Sequence, residues 1–243
     1  MNLNFIPLNG KCDYFDYDEF ESSARQVLQN TCKDATIILF NNFPVLLSTE
    51  TTVDLILVVA IKDDDDNYYQ VKRKADRKWA YLYNLIIPIN FITSLQDAEV
   101  TVDDEGQLNA DDEIIDYTDE IQIIKHSLLD YLVRKCNFIK NQLYINPLIY
   151  IKNKKTITKD NFLVSEKFDF NSLLTYLKNS TQDIFCSYKN WKNETGYSML
   201  PTRIESINDQ ASKDSVVGYL TKKKIERISK QLSKEEAIFS DLY

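Results

Sequence analysis

The stretch Thr51–Ala75, TTVDLILVVAIKDDDDNYYQVKRKA, decides how this chain is read. Val53–Ile61 is dense in β-branched and aliphatic residues, as a buried strand is. Asp54 is the lone carboxylate inside that run, and a bare carboxylate among Val, Leu and Ile would be costly to bury. Asp63–Asp66 reads as a solvated turn, because it lacks the Asp-x-Asp-x-Asp-Gly spacing of a calcium loop. Beyond it, Gln70 and Lys72 stand two residues apart, so both side chains leave the same face of a second strand. Asp54 and the Gln70 amide oxygen are ligand types that Mg²⁺ or Mn²⁺ accepts, and the Lys72 ammonium is suited to orienting a water. The plainer alternative is an Asp54–Lys72 salt bridge without metal. A tight turn centred on Asp64–Asp65 sets Asp54 opposite Ala75, so a bulge or splayed strands must bring it to Gln70.

Around this stretch the periodicity alternates between helix and strand. Asp18–Cys32 reads as an amphipathic helix with Phe20, Ala24, Val27 and Leu28 on one face and Glu21 at its edge. Ala35–Phe43 reads as a strand ended by Pro44. Leu85–Ile92 is apolar enough for a strand, but Pro88 argues for an edge position or a break. Asp97–Asp116 reads as an acidic surface insertion with a turn at Asp104-Glu105-Gly106. Thr118–Ile139 is the clearest helix, with Ile121, Ile124 and Leu128 in step and Asp119 and Glu120 at its N-terminal end. A strand broken at Pro147 follows over Gln142–Ile151, then a basic turn, Lys152–Lys155, and a short helix, Asn171–Lys178, capped by Asn171. Thr221–Leu242 reads as a basic amphipathic helix. The order predicts an α/β core over residues 1–178 and a helical C-terminal extension over 179–243.

Composition narrows the function classes. With 243 residues, 44% of them hydrophobic, the chain can bury one sizeable core. No apolar run reaches the ~18 residues of a membrane span, and the N-terminal stretch has no signal-peptide pattern. Cys12, Cys32, Cys136 and Cys186 form no C-x-x-C pair, which argues against zinc ribbons and disulfide frameworks and for a cytoplasmic protein. Walker and dinucleotide-binding glycine motifs are absent from the sequence. The net charge of −8 is unevenly spread: Trp79–Ile124 holds eleven acids and no Lys or Arg, and the rest of the chain is net positive.

Together these residues resemble the restriction-endonuclease-like, PD-(D/E)xK superfamily, and within it the nuclease-related domain. Glu21 stands ahead of Ala24 and Leu28 on the first helix. Thr52–Val58, TVDLILV, is similar to the family's "IDLLLI" strand, and Gln70-Val71-Lys72 takes the place of its "EVK", with Gln for the usual carboxylate. Gln122-Ile123-Ile124-Lys125-His126 resembles the family's "Q…H" segment. The resemblance spans roughly Asp18 to Lys178. It implies a mixed central sheet flanked by helices, and a metal-dependent nuclease that hydrolyses DNA phosphodiester bonds. It places Asp54, Gln70 and Lys72 in catalysis, with Asp54, Gln70, the Val71 carbonyl and Glu21 around Mg²⁺ or Mn²⁺. Arg73, Lys74, Gln122, Lys125, Lys152 and Lys154 are then candidates for holding DNA. His126 falls outside its helix's apolar stripe and is given no role. The alternative is an inactive nuclease-fold scaffold, with the acidic insertion or the C-terminal helix meeting a protein partner.

Overall fold

The computed structural model describes residues 2–8, 12–44, 52–63, 69–72, 74, 77, 79–82, 85–104, 106–136 and 144–179. All of them fall in the first of the two units into which the chain divides, Met1–Leu200 and Pro201–Tyr243. The expected C-terminal helix lies outside the described residues, as does Arg73.

In chain order the elements are β1 (Asn2–Leu8), α1 (Tyr17–Leu28), β2 (Cys32–Pro44), β3 (Thr52–Asp63), β4 (Gln70–Lys72), β5 (Trp79–Tyr81), β6 (Leu85–Ile92), β7 (Val100–Val102), β8 (Leu108–Ala110), β9 (Glu113–Ile115), α2 (Thr118–Cys136), β10 (Tyr144–Ile145), β11 (Leu148–Lys152), β12 (Ile157–Lys159), β13 (Phe162–Ser165) and α3 (Phe170–Asn179). This is an α/β fold around a mixed sheet in the order β1-β2-β3-β6-β11-β13-β12, with β10 also on β6. From the pairings, β1, β2, β6, β10, β11 and β13 run one way, and β3 and β12 run the other.

The alternation along β3 sorts its side chains onto two cores. Leu55, Leu57, Val59 and Ile61 face the core that holds Phe20, Ala24 and Leu28 of α1 and Leu173 and Leu177 of α3. Ser23 joins the two helices, since its buried Oγ accepts the Phe170 amide at 2.8 Å. On the other face, Ile149, Ile151, Phe162 and Val164 pack against Val100, Leu108 and Ile121. The caps follow local chemistry: Asp16 accepts the Glu19 amide at 2.9 Å to start α1. At α3 the cap is Asp169 rather than Asn171, with Asp169 Oδ1 taking the Ser172 amide and Ser172 Oγ taking the Asp169 amide.

Three sequence expectations are corrected. Among the described residues the expected ladder between β3 and Gln70–Lys72 is absent: β3 pairs with β2 and β6, while β4 pairs with β5 in a separate two-stranded sheet. Pro88 is no edge residue, because β6 is central. Its missing N–H is tolerated where β10 gives way to β11: β10 pairs with Leu85 and Ile86, β11 resumes at Ile89, and Asn146–Pro147 spans the gap. Residues 97–116 are more than a surface loop. They hold the three-stranded meander β7–β8–β9, whose Val100 and Leu108 are fully buried. Its tight turns have left-handed residues at Gly106 and at Asp111–Asp112, where the short side chains of glycine and aspartate are tolerated. No helix among the described residues is long and apolar enough to cross a membrane.

Candidate functional site

Asp54 opens β3 at the end of the sheet where β2, β6, β11 and β13 finish. Carboxyl ends of parallel strands are where open α/β sheets form clefts. Extending the β3–β6 register one step beyond Leu55↔Ile89 sets Asp54 against Asn90, the lone polar side chain of β6. Asp54 Oδ2 accepts the Phe91 amide at 2.8 Å, and the Asp54 amide reaches Asn90 Oδ1 at 3.4 Å. Asn90 Nδ2 in turn donates to Glu120 in the first turn of α2. The half-buried Asp54 carboxylate is thus held by a backbone donor, while the Asn90 amide links the Asp54 backbone N–H to the Glu120 carboxylate. Asp54 was legible as a lone acid in a strand, while Asn90, the same signal one strand over, and Glu120 were missed.

Beside this network a cleft of about 540 Å³ opens. Phe91, Tyr150 and Phe15 line its buried part, Asp13, Asp16 and Asp18 line one rim, and Lys152 and Thr93 line the other. The Cys12 thiol, also in the lining, is pushed up by burial; amides of Tyr14 and Phe15 oppose the shift, and the charges of Asp54 and Asp13 add to it. A neutral thiol is a poor nucleophile, so Cys12 is a packing residue at neutral pH. Burial pushes Tyr150 up to about 12, and its hydroxyl donates its proton to Ser165 O. Its phenol proton therefore stays in place throughout the neutral range.

The remaining candidates do not converge on Asp54. The Tyr69 amide donates to Ile61 O at 2.8 Å, and the Lys74 amide donates to Lys178 O at 2.9 Å. The second bond ties the chain after β4 to the end of α3. The first sets Tyr69, the residue before β4, beside Ile61 at the far end of β3, seven residues and roughly 23 Å along the strand from Asp54 at about 3.3 Å per residue. Gln70 and Lys72 are there with Val71, which is buried in the α1 core. Glu21 is spent locally, paired with Arg25 at 2.6 Å across one helical turn. Gln122 and Lys125 lie on α2, Gln122 exposed and Lys125 half-buried, and Lys152 at the end of β11 and Lys154 on the turn after it stand exposed.

The donor set required for Mg²⁺ or Mn²⁺ was Asp54, Gln70, the Val71 carbonyl and Glu21, and it does not fit one ion. Among the described residues no group of three or more His, Cys, Asp or Glu is arranged to hold a metal ion. Asn90 links the Asp54 backbone to the Glu120 carboxylate beside the cleft. No family model, curated protein or solved structure matches the chain.

Proposed function

We propose that this chain carries a restriction-endonuclease-like domain that no longer cleaves and serves as a scaffold or interaction module. What supports the fold assignment is the order α1, then the antiparallel strands β2, β3 and β6, then α2, then β11 parallel to β6. A helix, a three-stranded meander, a helix and a returning strand are the parts the resemblance requires. The observation that carries the loss of cleavage is the register opposite Asp54. The strand next to Asp54 presents Asn90 and, two residues on, Ile92. The family's motif wants a carboxylate and a lysine at that spacing. An amide and an aliphatic side chain offer neither the second negative ligand nor the ammonium that orients water. Gln70 and Lys72 supply that pair in sequence but stand at the other end of β3.

The cleavage reading keeps one feature in its favour, the Asp54–Asn90–Glu120 array beside the cleft. Plasmid nicking in Mg²⁺ or Mn²⁺ separates the two. The scaffold reading expects no nicking above that of the Asp54→Ala protein. Nicking that disappears both in chelator and in Asp54→Ala would restore a DNA nuclease with Asp54 and Glu120 as the metal ligands.

A further inference from the structure

The acidic meander and the basic turn after β11, far apart in sequence, are built onto one another. Asn153, only 5% exposed, donates from Nδ2 to Leu95 O at 2.9 Å and to Ala98 O at 3.0 Å. Its Oδ1 accepts the Lys155 amide at 3.0 Å. One buried side chain thus fixes the start of the meander against the turn. A second fixing point lies where Gly106 meets Asp160 so closely that a Cβ at Gly106 would stand 2.9 Å from Asp160 Oδ2. At each point a lysine of the turn meets an acid of the meander. Lys155 Nζ lies 3.2 Å from Glu99 and also reaches Val100 O, and Lys159 Nζ lies 3.0 Å from Asp104. Lys152 and Lys154 on the same turn are exposed and have no carboxylate partner among the described residues.

We propose that Glu99 and Asp104 act as built-in phosphate mimics that occupy the inner half of a phosphate-binding segment, Lys152–Lys159, and so hold it in a weakly binding state. The segment runs from the end of β11 through the basic turn to the end of β12. The ligand class is the phosphodiester backbone of a nucleic acid duplex. The turn offers lysine point charges, and its one planar amide, Asn153, is buried in bonds to Leu95 and Ala98, so contact is to backbone and is independent of sequence. It also lacks an exposed aromatic to insert at a membrane interface. The exchange is feasible because exposed Lys–carboxylate pairs are worth only about 0.2–1 kcal/mol each, and a polyanion replaces both at once. The latch is independent of whether Asp54 supports cleavage, since none of its groups belongs to the Asp54 network.

The test measures binding of the full chain to a labelled DNA duplex in EDTA, so that cleavage plays no part, across a salt series. Each phosphate neutralised on duplex DNA steepens the log–log salt slope by about 0.9. The double variant Glu99→Gln/Asp104→Asn is expected to bind on the order of tenfold more tightly at low salt, with a slope steeper by roughly 1.8. Adding Lys155→Gln and Lys159→Gln to it should remove both gains. The control Asp112→Asn/Glu113→Gln makes the same change of net charge on two exposed carboxylates that are not members of the two lysine pairs, and should leave the slope unchanged. Thermal melts of all variants identify any loss of folding. Equal slopes in the two double variants would overturn the latch, as would no duplex binding by either. Binding to phosphatidylserine vesicles as tight as to DNA would overturn the nucleic acid assignment.

Discussion

At one end of β3, Asp54 gives a carboxylate oxygen to the Phe91 amide, beside Asn90, Glu120 and the cleft. At the other end, Ile61 takes the Tyr69 amide and the chain turns into β4, with Val71 inward and Lys72 exposed. Both ends are polar, but they are built differently. The Asp54 end is backed by rings: Phe168 packs against Phe15, Phe20, Phe91 and Tyr150 with centroids 5.0 to 5.9 Å apart. The Lys72 end hangs on a three-residue strand tied to β5 and to the end of α3. A carboxylate that is hydrogen-bonded and packed contributes more to the fold's stability than an exposed lysine on a short peripheral strand.

That contrast is broken most severely at the rings. Phe168→Ala is expected to cost about 3–5 kcal/mol in urea denaturation, as large-to-small aromatic changes in a core do. A smaller loss would mean that the rings do not hold the cleft end together. Next comes Asp54→Ala, which leaves the Phe91 amide without its acceptor and should cost about 1–3 kcal/mol. Lys72→Ala, by comparison, should cost less than Asp54→Ala, because Lys72 is exposed on a short peripheral strand. Equal effects of the two substitutions would erase the difference between the ends. A further effect is confined to alkaline pH. Tyr150 holds its proton in the fold up to about 12, while an unfolded tyrosine ionises near 10. Its contribution is fully present below about pH 10 and declines as pH rises from there toward 12. Alkaline unfolding followed by tyrosinate absorbance should show this, and Tyr150→Phe should flatten the decline in that window.

The parts legible in the sequence were those with long, undisturbed periodicity. The helix predicted over Asp18–Cys32 is α1, the strand over Ala35–Phe43 lies in β2, Val53–Ile61 is the body of β3, and the helix from Thr118 is α2. The third antiparallel strand was misplaced because two local rules pointed away from β6. Pro88 signals an edge, and its cost is relieved only by the β10–β11 break, which lies nearly sixty residues later. Gln70–Lys72 alternates as a strand should and follows β3 immediately, yet nothing local in it reveals that its partner is Trp79–Tyr81. The acidic composition of residues 97–116 masked Val100 and Leu108, two apolar residues that suffice to seat a small sheet on the second core. In the site, Asp54 stood out because it is a lone acid in an apolar strand. Its partners were out of reach of the sequence because a register between β3 and β6 is a long-range property.

The separation of the two ends is measured most directly by spin labels at Thr93, beside the cleft, and at Lys72, both exposed, in a background whose native cysteines are replaced. If β6 runs its length between them, the labels should lie more than about 20 Å apart, given about 3.3 Å per strand residue. A distance below roughly 12 Å, as a β3–β4 hairpin folded back on the Asp54 end would give, would contradict this account.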